Sequence, residues 1–197
     1  MRIGLLLAAG RSRRFGQENK LLHAANGRPL IAYSVEVLRA LELDQLIAVI
    51  SDSEVVKHLA GFDIIYHPSP DQGLGSSLAR GALRAQKINA HRLLVALGDM
   101  PFVTKNHCQR VLAQCTERVP SASVLSGRTM PPACFPQSML SSLTKTSGSK
   151  GAQHLLSDLP SSALVQGSPS LLADIDTPAQ WSYWRAAGHF STNTGKE

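Results

Sequence analysis

Two acidic segments of the sequence contain residues that could bind a divalent cation. Asp99 lies in LGDMP (97–101), directly after an apolar run of strand length, and Asp174 and Asp176 lie in ADIDTP (173–178). Alternate residues of an extended segment point to the same side, so Asp174 and Asp176 can approach one cation. Mg²⁺ prefers oxygen ligands and commonly uses one or two carboxylates with phosphates and water. Asp99 and one of Asp174 and Asp176 are therefore candidates to bind Mg²⁺; otherwise Asp99 only caps a turn and Asp176 only caps the last helix.

A basic loop follows the first apolar run of the chain and could bind phosphate. The string LAAGRSRRFGQENKLL spans residues 7–22. The small residues at 8–10 allow a ligand to approach the backbone closely, and Arg14 and Lys20 can neutralise the charge of a triphosphate. The spacing fits neither the dinucleotide fingerprint GxGxxG nor the Walker A motif GxxxxGK[ST]. The loop is therefore predicted to be a phosphate site of another kind, the alternative being a tight turn with solvated arginines.

A third segment, QGLGSSL (72–78), combines two glycines with two serines. The glycines allow the backbone to lie close to a ligand, and Ser76 and Ser77 at a helix start can donate to a base edge or an oxyanion. Taken by itself, the string is better explained as a turn followed by a helix N-cap.

Composition favours a globular protein that binds a small anion. The 197 residues are 43% hydrophobic and 17% charged, which suits one domain, predicted as residues 1–190 with a flexible tail at 191–197. The net charge of +6 is concentrated in Arg11, Arg13, Arg14 and Lys20, while the other basic residues are scattered. Because aromatic residues make up 5% of the chain and do not interleave with basic ones, we expect a phosphate site rather than a nucleic-acid surface.

Several other classes of protein are disfavoured by the residue pattern. The three cysteines form no CxxC pair and suit a reduced, cytoplasmic protein. The apolar run at the start is only about seven residues and leads into RSRR, so it is not read as a signal peptide, and no run approaches the ~20 residues of a membrane span. The histidines form no HxxxH or HExxH pattern and the chain has no GxSxG elbow, so neither a zinc site nor serine-nucleophile chemistry is predicted.

Alternating strands and helices are predicted to position these segments. Apolar runs of strand length occupy residues 2–8, 46–51, 63–67 and 92–97. The helices between them are predicted to open at Pro29, at the cap Ser53, at about Ser76 and at the cap Thr104. This alternation indicates right-handed crossovers and a mostly parallel sheet, whose carboxyl ends gather ligands. The loops 8–20, 68–75 and 98–103 are then expected to open on the same edge.

Beyond residue 118 the pattern is weaker. SASVLS and PACF favour strands, QSMLSSL and AQHLLSDL favour helices, and PAQWSYWRAA favours a final helix opened by Pro178.

Taken together, the four strings LAAGRSRRFGQENKLL, QGLGSSL, LGDMP and ADIDTP resemble the motifs of the MobA-like nucleotidyltransferases, closest to the branch of molybdenum cofactor cytidylyltransferases. The resemblance runs from Arg2 to about Trp184. It implies a three-layer α/β/α sandwich of the nucleotide-diphospho-sugar transferase type, which is Rossmann-like.

The resemblance also implies roles for individual residues. Lys20, Arg14 and Asp99 would be catalytic, and Asp99 and Asp176 would bind Mg²⁺. The residues expected to bind the nucleotide are Leu7, Ala8, Ala9, Gly10, Arg14, Lys20, Gly73, Ser76 and Ser77. Lys150 and Gly151, in GSKGAQ (148–153), lie where relatives bind the acceptor.

The reaction implied by the resemblance is transfer of CMP from CTP to a phosphorylated acceptor, most simply the molybdenum-bearing pterin, with release of pyrophosphate. LAAG with GSSL favours CTP over GTP, because guanylyltransferase relatives tend to carry LAGG and a GPLAG-like string. The alternatives are a guanylyltransferase, a sugar- or polyol-phosphate nucleotidylyltransferase, and a non-catalytic carrier that delivers the finished cofactor to a client molybdoenzyme. A carrier would have no use for the metal-binding pair.

The sequence departs from the family pattern at several positions. Gln180 stands where an acidic residue is usual, Ser149 and Gln153 replace an Asp and an Arg of the GDxGAR segment, and MPPACF (130–135) lacks the Gly and His of a GHPVLF-like string. The last two departures concern the acceptor side of the site.

Overall fold

A seven-stranded sheet forms the centre of the molecule in the computed structural model, which describes residues 1–10, 13–16, 19–69 and 72–190. The strands are β1 (Arg2–Ala8), β4 (Gln45–Ile50), β5 (Phe62–Tyr66), β6 (Arg92–Leu97), β7 (Ser121–Leu125), β8 (Arg128–Pro136) and β9 (Leu164–Gln166), and a separate hairpin pairs β2 (Ala24–Ala25) with β3 (Arg28–Pro29). The predicted tail, residues 191–197, lies outside the described residues, as does Arg11.

Five α-helices accompany the sheet in the described part of the chain: α1 (Leu30–Ala40), α2 (Leu74–Lys87), α3 (Lys105–Gln114), α4 (Leu140–Leu143) and α5 (Pro178–Ala186). Short 3₁₀ turns lie at Arg13–Phe15, Lys20–Leu22, Ser53–His58, Gln137–Met139, Gln153–Leu155 and Ser161–Ala163. In these described ranges, no helix has the length and apolar character needed to cross a membrane.

Strand β1 shows why helices cover both faces of the sheet. Residues 3–8 are all buried, as expected for a parallel strand with apolar cover on each side. Leu6 packs in a cluster with Leu30 of α1, whereas Leu5 packs on the opposite face with Leu78 of α2. The predicted three-layer α/β/α sandwich with a mostly parallel sheet is confirmed.

The order of the strands places four loops at one edge. The order is β5-β4-β1-β6-β8-β7-β9, and β5, β4, β1 and β6 run parallel to one another. The chain builds outward from β1 on one side and then returns to β6 on the other, so the strand order reverses at β1. Such a reversal opens a crevice at the carboxyl ends of the strands. Strand β8 runs antiparallel to both of its neighbours.

Some local predictions were wrong. Asp52, not Ser53, caps the turn Ser53–His58, because its carboxylate accepts the N–H of Glu54. The stretch AQHLLSDL forms only the single 3₁₀ turn Gln153–Leu155, and β9 was not predicted at all. Helix α2 begins at Leu74, so that Ser76 lies within its first turn rather than before it.

Candidate functional site

Lys20 joins the two predicted metal ligands at the carboxyl edge of the sheet. Its Nζ lies 2.6 Å from Asp99 Oδ2 and 2.5 Å from Asp176 Oδ1, although the two aspartates are 79 and 156 residues away in the chain. The Lys20 side chain is 9% exposed, and those of Asp99 and Asp176 are 21% and 36% exposed. Burial by itself would lower the pKa of Lys20, but the adjacent carboxylates, Asp99 above all, raise it above its ordinary value. Lys20 therefore remains charged between two carboxylates.

Backbone hydrogen bonds hold the two aspartate-bearing segments together. The N–H of Gly98 donates to Leu7 O at 3.0 Å, which continues the pairing of β6 with β1 into the turn that carries Asp99. The N–H of Ile175 donates to Asp99 O at 2.9 Å. Because Ile175 directly precedes Asp176, this bond brings the second carboxylate beside the end of β6.

Asn19 positions Lys20 and was not identified from the sequence. Its side chain accepts the N–H of Leu21 at 3.0 Å, capping the turn Lys20–Leu22, and donates to Asp52 Oδ2 at 2.8 Å. The basic loop is thereby tied to the loop after β4. Asparagine directly before KLL is a residue type typical of an N-cap, and that signal could have found it.

The C-terminal helix holds Asp176 and the predicted phosphate-binding Arg14 near each other. Gln180 Oε1 accepts the N–H groups of Asp176 and Thr177 at 2.8 and 2.9 Å, and Thr177 caps α5 in a capping box. Glutamine serves this box as well as an acidic residue does, so the departure at Gln180 preserves the local structure. Arg14 Nη1 lies 3.4 Å from Asp176 Oδ2 and its side chain is exposed.

Aromatic contacts anchor the turn that contains Arg14. The ring of Phe15 meets His23 edge-on at 5.7 Å, and His23 meets Trp181 of α5 at 5.1 Å. Such edge-to-face pairs stabilise a fixed approach of two segments. The Arg13–Phe15 turn is thus packed against the same helix whose first turn holds Asp176.

The carboxylates fit a divalent cation. Among the described residues, Asp99 Oδ1 is buried and has no hydrogen-bond partner, so it is an acceptor suited to a cation. The same part of the chain contains no group of three or more His, Cys, Asp or Glu side chains arranged for a metal. Two carboxylates completed by phosphates and water is the arrangement that Mg²⁺ commonly uses.

The structure separates the two aspartates between which the sequence left a choice. Asp176 contacts Lys20 and Arg14, whereas Asp174 is exposed. Partial desolvation and then the negative charges of Asp176 and Asp99 raise the pKa of Asp174. Asp174 is therefore close enough to interact electrostatically with both carboxylates. Asp176, however, is the aspartate that contacts Lys20 together with Asp99.

The loop after β1 leaves room beside its backbone. Leu7, Ala8 and Ala9 are buried, while Gly10 is exposed, and a Cβ built on Gly10 would meet no atom of the described residues within 4 Å. The predicted nucleotide-binding backbone therefore faces open space at Gly10.

Close backbone packing explains why the QGLGSSL segment has glycine at positions 73 and 75, and this packing could not be deduced from the sequence. Gly73 has φ +86°, and a Cβ there would lie 2.6 Å from the carbonyl of Gly148. A Cβ on Gly75 would lie 2.5 Å from the backbone of Ser147, and the Gly75 N–H donates to Gly148 O at 2.8 Å. The glycines therefore permit close contact between two backbones. Ser77 is buried, and Ser76 is hydrogen-bonded within the protein.

A cavity of about 280 Å³ lies beside this edge, between the first turn of α2, the ends of β1 and β6, and the inner face of β8. Its walls include Leu7, Leu78, Leu97 and Phe135. Lys150 and Ser149 line its border. Gly151 has φ +54° and lies against Leu74, so it shapes the loop that carries Lys150.

The model of the MobA-like NTP transferase domain matches residues 4–164 of the chain. This range contains Lys20, Gly73 and Asp99 and ends before Asp176.

Two examples illustrate the similarity in sequence to other proteins. Purine catabolism protein PucB of Bacillus subtilis is 29% identical over 203 residues, covering 94% of this chain and 96% of that protein. A protein of Pyrococcus horikoshii described as a probable molybdenum cofactor guanylyltransferase is 36% identical over 104 residues, covering 50% of this chain and 48% of that protein.

Solved structures share the fold. A nucleotidyl transferase from Methanothermobacter has a TM-score of 0.80 at 22% identity, covering 98% of this chain and 99% of that chain. A Mycobacterium tuberculosis protein in complex with manganese has a TM-score of 0.73 at 22% identity, covering 94% of this chain and 98% of that chain.

Proposed function

This chain belongs to the MobA-like NTP transferase domain family and is a nucleotidyltransferase of that type, and we propose that it transfers CMP from CTP to a phosphorylated acceptor with release of pyrophosphate. The observation that carries the proposal is the convergence of Asp99 and Asp176 on Lys20, with Arg14 beside them.

Nucleotidyl transfer requires that the reacting phosphate groups be positioned and that their negative charge be neutralised. A phosphate oxygen of the acceptor attacks the α-phosphorus of the nucleotide, the bond to the β-phosphate oxygen breaks, and pyrophosphate leaves. Such a transfer needs little acid or base catalysis, because charge on phosphate oxygens is the main barrier. Lys20 and Arg14 are placed to offset that charge. The exposed backbone at Gly10 offers the nucleotide a close approach to the end of β1.

A divalent metal belongs to the proposal, with Mg²⁺ as the expected ion. Asp99 and Asp176 would hold it, and the unpartnered Oδ1 of Asp99 supports that assignment. A bound Mg²⁺ would neutralise phosphate charge and fix the orientation of the reacting groups. The manganese complex of the mycobacterial protein of similar fold makes Mn²⁺ a reasonable substitute in binding experiments.

The proposed acceptor is the terminal phosphate of the molybdenum-bearing pterin, with a client molybdoenzyme as a further partner. The cavity of about 280 Å³ supports an acceptor with a ring body, because its walls are largely aliphatic and aromatic and would not satisfy the hydroxyls of a polyol. Lys150 at its border is placed for an anionic group, and the departures at Met130, Ser149 and Gln153 all line this cavity.

The choice of CTP rests on the strings LAAG and GSSL, and GTP is the alternative. The Pyrococcus relative is described as a guanylyltransferase, but it matches only about half of each chain. We therefore expect CTP to be the better substrate by at least about tenfold in kcat/KM, equivalent to about 1.4 kcal/mol of transition-state binding.

The test compares pyrophosphate release from CTP and GTP at equal concentrations, with Mg²⁺ and molybdopterin as the acceptor. Asp99→Asn, which keeps the shape of the side chain but removes its charge, serves as the inactive control. A clear preference for GTP would place the protein with the guanylyltransferases, and full activity of Asp99→Asn would exclude the metal-binding role of this carboxylate.

A further inference from the structure

A buried histidine lies directly behind the turn that opens α2. His67 follows the last residue of β5 and is 1% exposed. Its Nδ1 accepts the N–H of Ser69 at 3.2 Å, so the proton of the neutral ring is on Nε2. Nε2 then donates to Ser76 Oγ at 2.7 Å, and the hydroxyl of Ser76 donates to Gly73 O at 2.7 Å.

These three hydrogen bonds have one consistent direction and require an uncharged imidazole. A second ring proton on Nδ1 would remove the acceptor used by the N–H of Ser69. Burial, and then the positive charge of Arg80 on α2, lower the pKa of His67, which favours the neutral ring. The hydroxyl of Ser76 is fully used within the protein, so it is not the free donor to a base that the sequence suggested.

The network of His67, Ser76 and Gly73 fixes one side of the turn before α2, whose backbone is also constrained on its other side. Gly73 is held at φ +86°, and the N–H of Gly75 is bonded to Gly148 O on the opposite side. The backbone of the turn is therefore fixed by the imidazole behind it and by the 147–148 backbone in front. Leu74, which follows Gly73, lines the cavity together with Leu7 and Leu97 near the ends of β1 and β6, so the turn borders the nucleotide site expected after β1 as well as the cavity proposed for the acceptor.

We propose that His67 is a positioning residue for the nucleotide: acting through Ser76, it fixes the Gly73 carbonyl and the first turn of α2, against which the nucleotide binds. The inference rests on the proposed function, since it concerns the nucleotide side of that site. His67 is 1% exposed, so it acts through Ser76 rather than by direct contact with a ligand. Its contribution is a turn that already has the bound conformation, which reduces the ordering cost of binding.

A second network of the same kind provides a matched control. His107 of α3 is 3% exposed, its Nε2 lies 2.8 Å from Ser123 Oγ, and the hydroxyl of Ser123 donates to Pro132 O at 2.8 Å. The hydrogen bonds from Nε2 through a serine to a carbonyl are those of the His67 network, although Nδ1 of His107 has no hydrogen-bond partner among the described residues. The carbonyl belongs to β8, on the other side of the cavity. Substituting His107 therefore controls for the loss of a buried histidine at a distance from the α2 turn.

The experiment measures the dissociation constants of Mg·CTP and Mg·GTP by calorimetry for the wild type, His67→Asn, His67→Gln and His107→Asn, with melting temperatures recorded for each. Asparagine keeps an acceptor near the Nδ1 position but is too short to reach Ser76, whereas glutamine can place a donor near the Nε2 position. We expect His67→Asn to weaken nucleotide binding about tenfold and His67→Gln to restore it to within about threefold of the wild type, as the loss and recovery of a buried hydrogen bond predict. His107→Asn should lower the melting temperature similarly and leave nucleotide affinity unchanged.

Two results would overturn the positioning role while leaving the proposed function standing. One is wild-type affinity in His67→Asn, and the other is an equal loss of affinity in His107→Asn, which would indicate general destabilisation. If the wild type binds neither nucleotide, the proposed function fails and the inference fails with it.

Discussion

At the scale of single residues, Lys20 occupies the position that a cation would take between two carboxylates. Its ammonium group satisfies Asp99 and Asp176 at 2.6 and 2.5 Å. A divalent cation that binds these carboxylates therefore competes with Lys20, and the ammonium group would be released toward the phosphates that arrive with the metal. Lys20 would then stabilise the site in both states, with a different anionic partner in each.

This competition predicts an unusual phenotype for Lys20→Met, which keeps much of the side-chain length and removes its charge. We expect the variant to lose nucleotidyl transfer but to bind Mn²⁺ at least about tenfold more tightly than the wild type when no nucleotide is present, because the ammonium group between the two close carboxylates is gone. Melting curves recorded over a MnCl₂ titration measure this, since a ligand that binds the folded state raises the melting temperature.

The double variant Lys20→Met with Asp99→Asn is the control for this experiment. With one carboxylate neutralised, the metal-dependent rise in melting temperature should disappear. Equal stabilisation of the single and double variants by Mn²⁺ would mean that the metal binds elsewhere.

The residue types in the sequence were enough to propose several residues of the site, but they did not predict the contacts between those residues. Carboxylates after a strand and before a helix suit a metal, and the family resemblance favours Asp176 over Asp174; Asp99 and Asp176 do lie together in the structure. Their connection through Lys20 depends on a separation of 156 residues, which periodicity cannot show. The sequence did not single out His67 among the histidines, because its contact with Ser76 forms only when α2 packs beside the end of β5.

At the scale of elements, the start of α2 depends on close packing against the segment 146–149. Thr146 is buried and its hydroxyl donates to the carbonyls of Gly75 and Leu143. Together with the bond from Gly75 to Gly148, this joins the first turn of α2 to the loop that leads to Lys150. The nucleotide side and the acceptor side of the cavity are thus linked by backbone contact.

We expect Gly75→Ala to destabilise the protein, although alanine is the better helix former by about 1 kcal/mol. Its Cβ would lie 2.5 Å from the backbone of Ser147, which cannot rotate away as a side chain can. Overpacking of this kind costs about 1–3 kcal/mol, and each kcal/mol lowers the melting temperature of a domain of this size by about 2–4 °C. Thermal melting measures the effect.

Gly10→Ala, compared for melting temperature alone, is the matched control, because a Cβ there meets nothing within 4 Å among the described residues. A Gly75→Ala protein as stable as Gly10→Ala would show that the 146–149 segment moves aside without cost.

The same contacts explain which elements the sequence predicted poorly. The start of α2 was predicted two residues too late, at about Ser76, because positive φ at Gly73 lets the helix begin earlier than the serines suggest. Gly148 and Gly151, at φ +69° and +54°, lie just before AQHLLSDL (152–159), where a helix was predicted but only the turn Gln153–Leu155 forms. Strand β9 is only three residues long and gains its pairing from β7, a non-local contact that its sequence does not reveal.

At the scale of the whole molecule, burial of charged and titratable groups predicts how stability depends on pH. Desolvation lowers the pKa values of three histidines below the ordinary 6.5, and a nearby positive charge adds to the effect in each case. The pairs are His67 with Arg80, His107 with Arg110, and His58 with Lys57. Between the folded and unfolded pKa values the unfolded chain binds more protons, so stability rises with pH through that window. The contribution is fully present above pH 6.5 and is lost as the pH falls below it.

Lys20 acts at the opposite end of the pH range. Its pKa is raised above 10.5, because the carboxylates of Asp99 and Asp176 outweigh the effect of burial. Its contribution is present below pH 10.5 and is lost as the pH rises through its folded value. Burial also raises the pKa of the Cys108 thiol from 9.0 to about 12, so the stability that this thiol contributes is lost as the pH rises above 9. Melting temperatures should therefore form a plateau between about pH 7 and pH 9 and decline on either side.

The acid decline can be assigned with the double variant His67→Gln with His107→Gln, since glutamine retains hydrogen bonding and does not titrate. We expect its melting temperature to be lower than that of the wild type at pH 8 but to change much less between pH 7 and pH 5, because the two buried groups that would take up protons on unfolding are gone. Melting curves at half-unit intervals of pH would resolve the difference in slope. An equally steep decline in the double variant would assign the acid sensitivity to groups other than these two histidines.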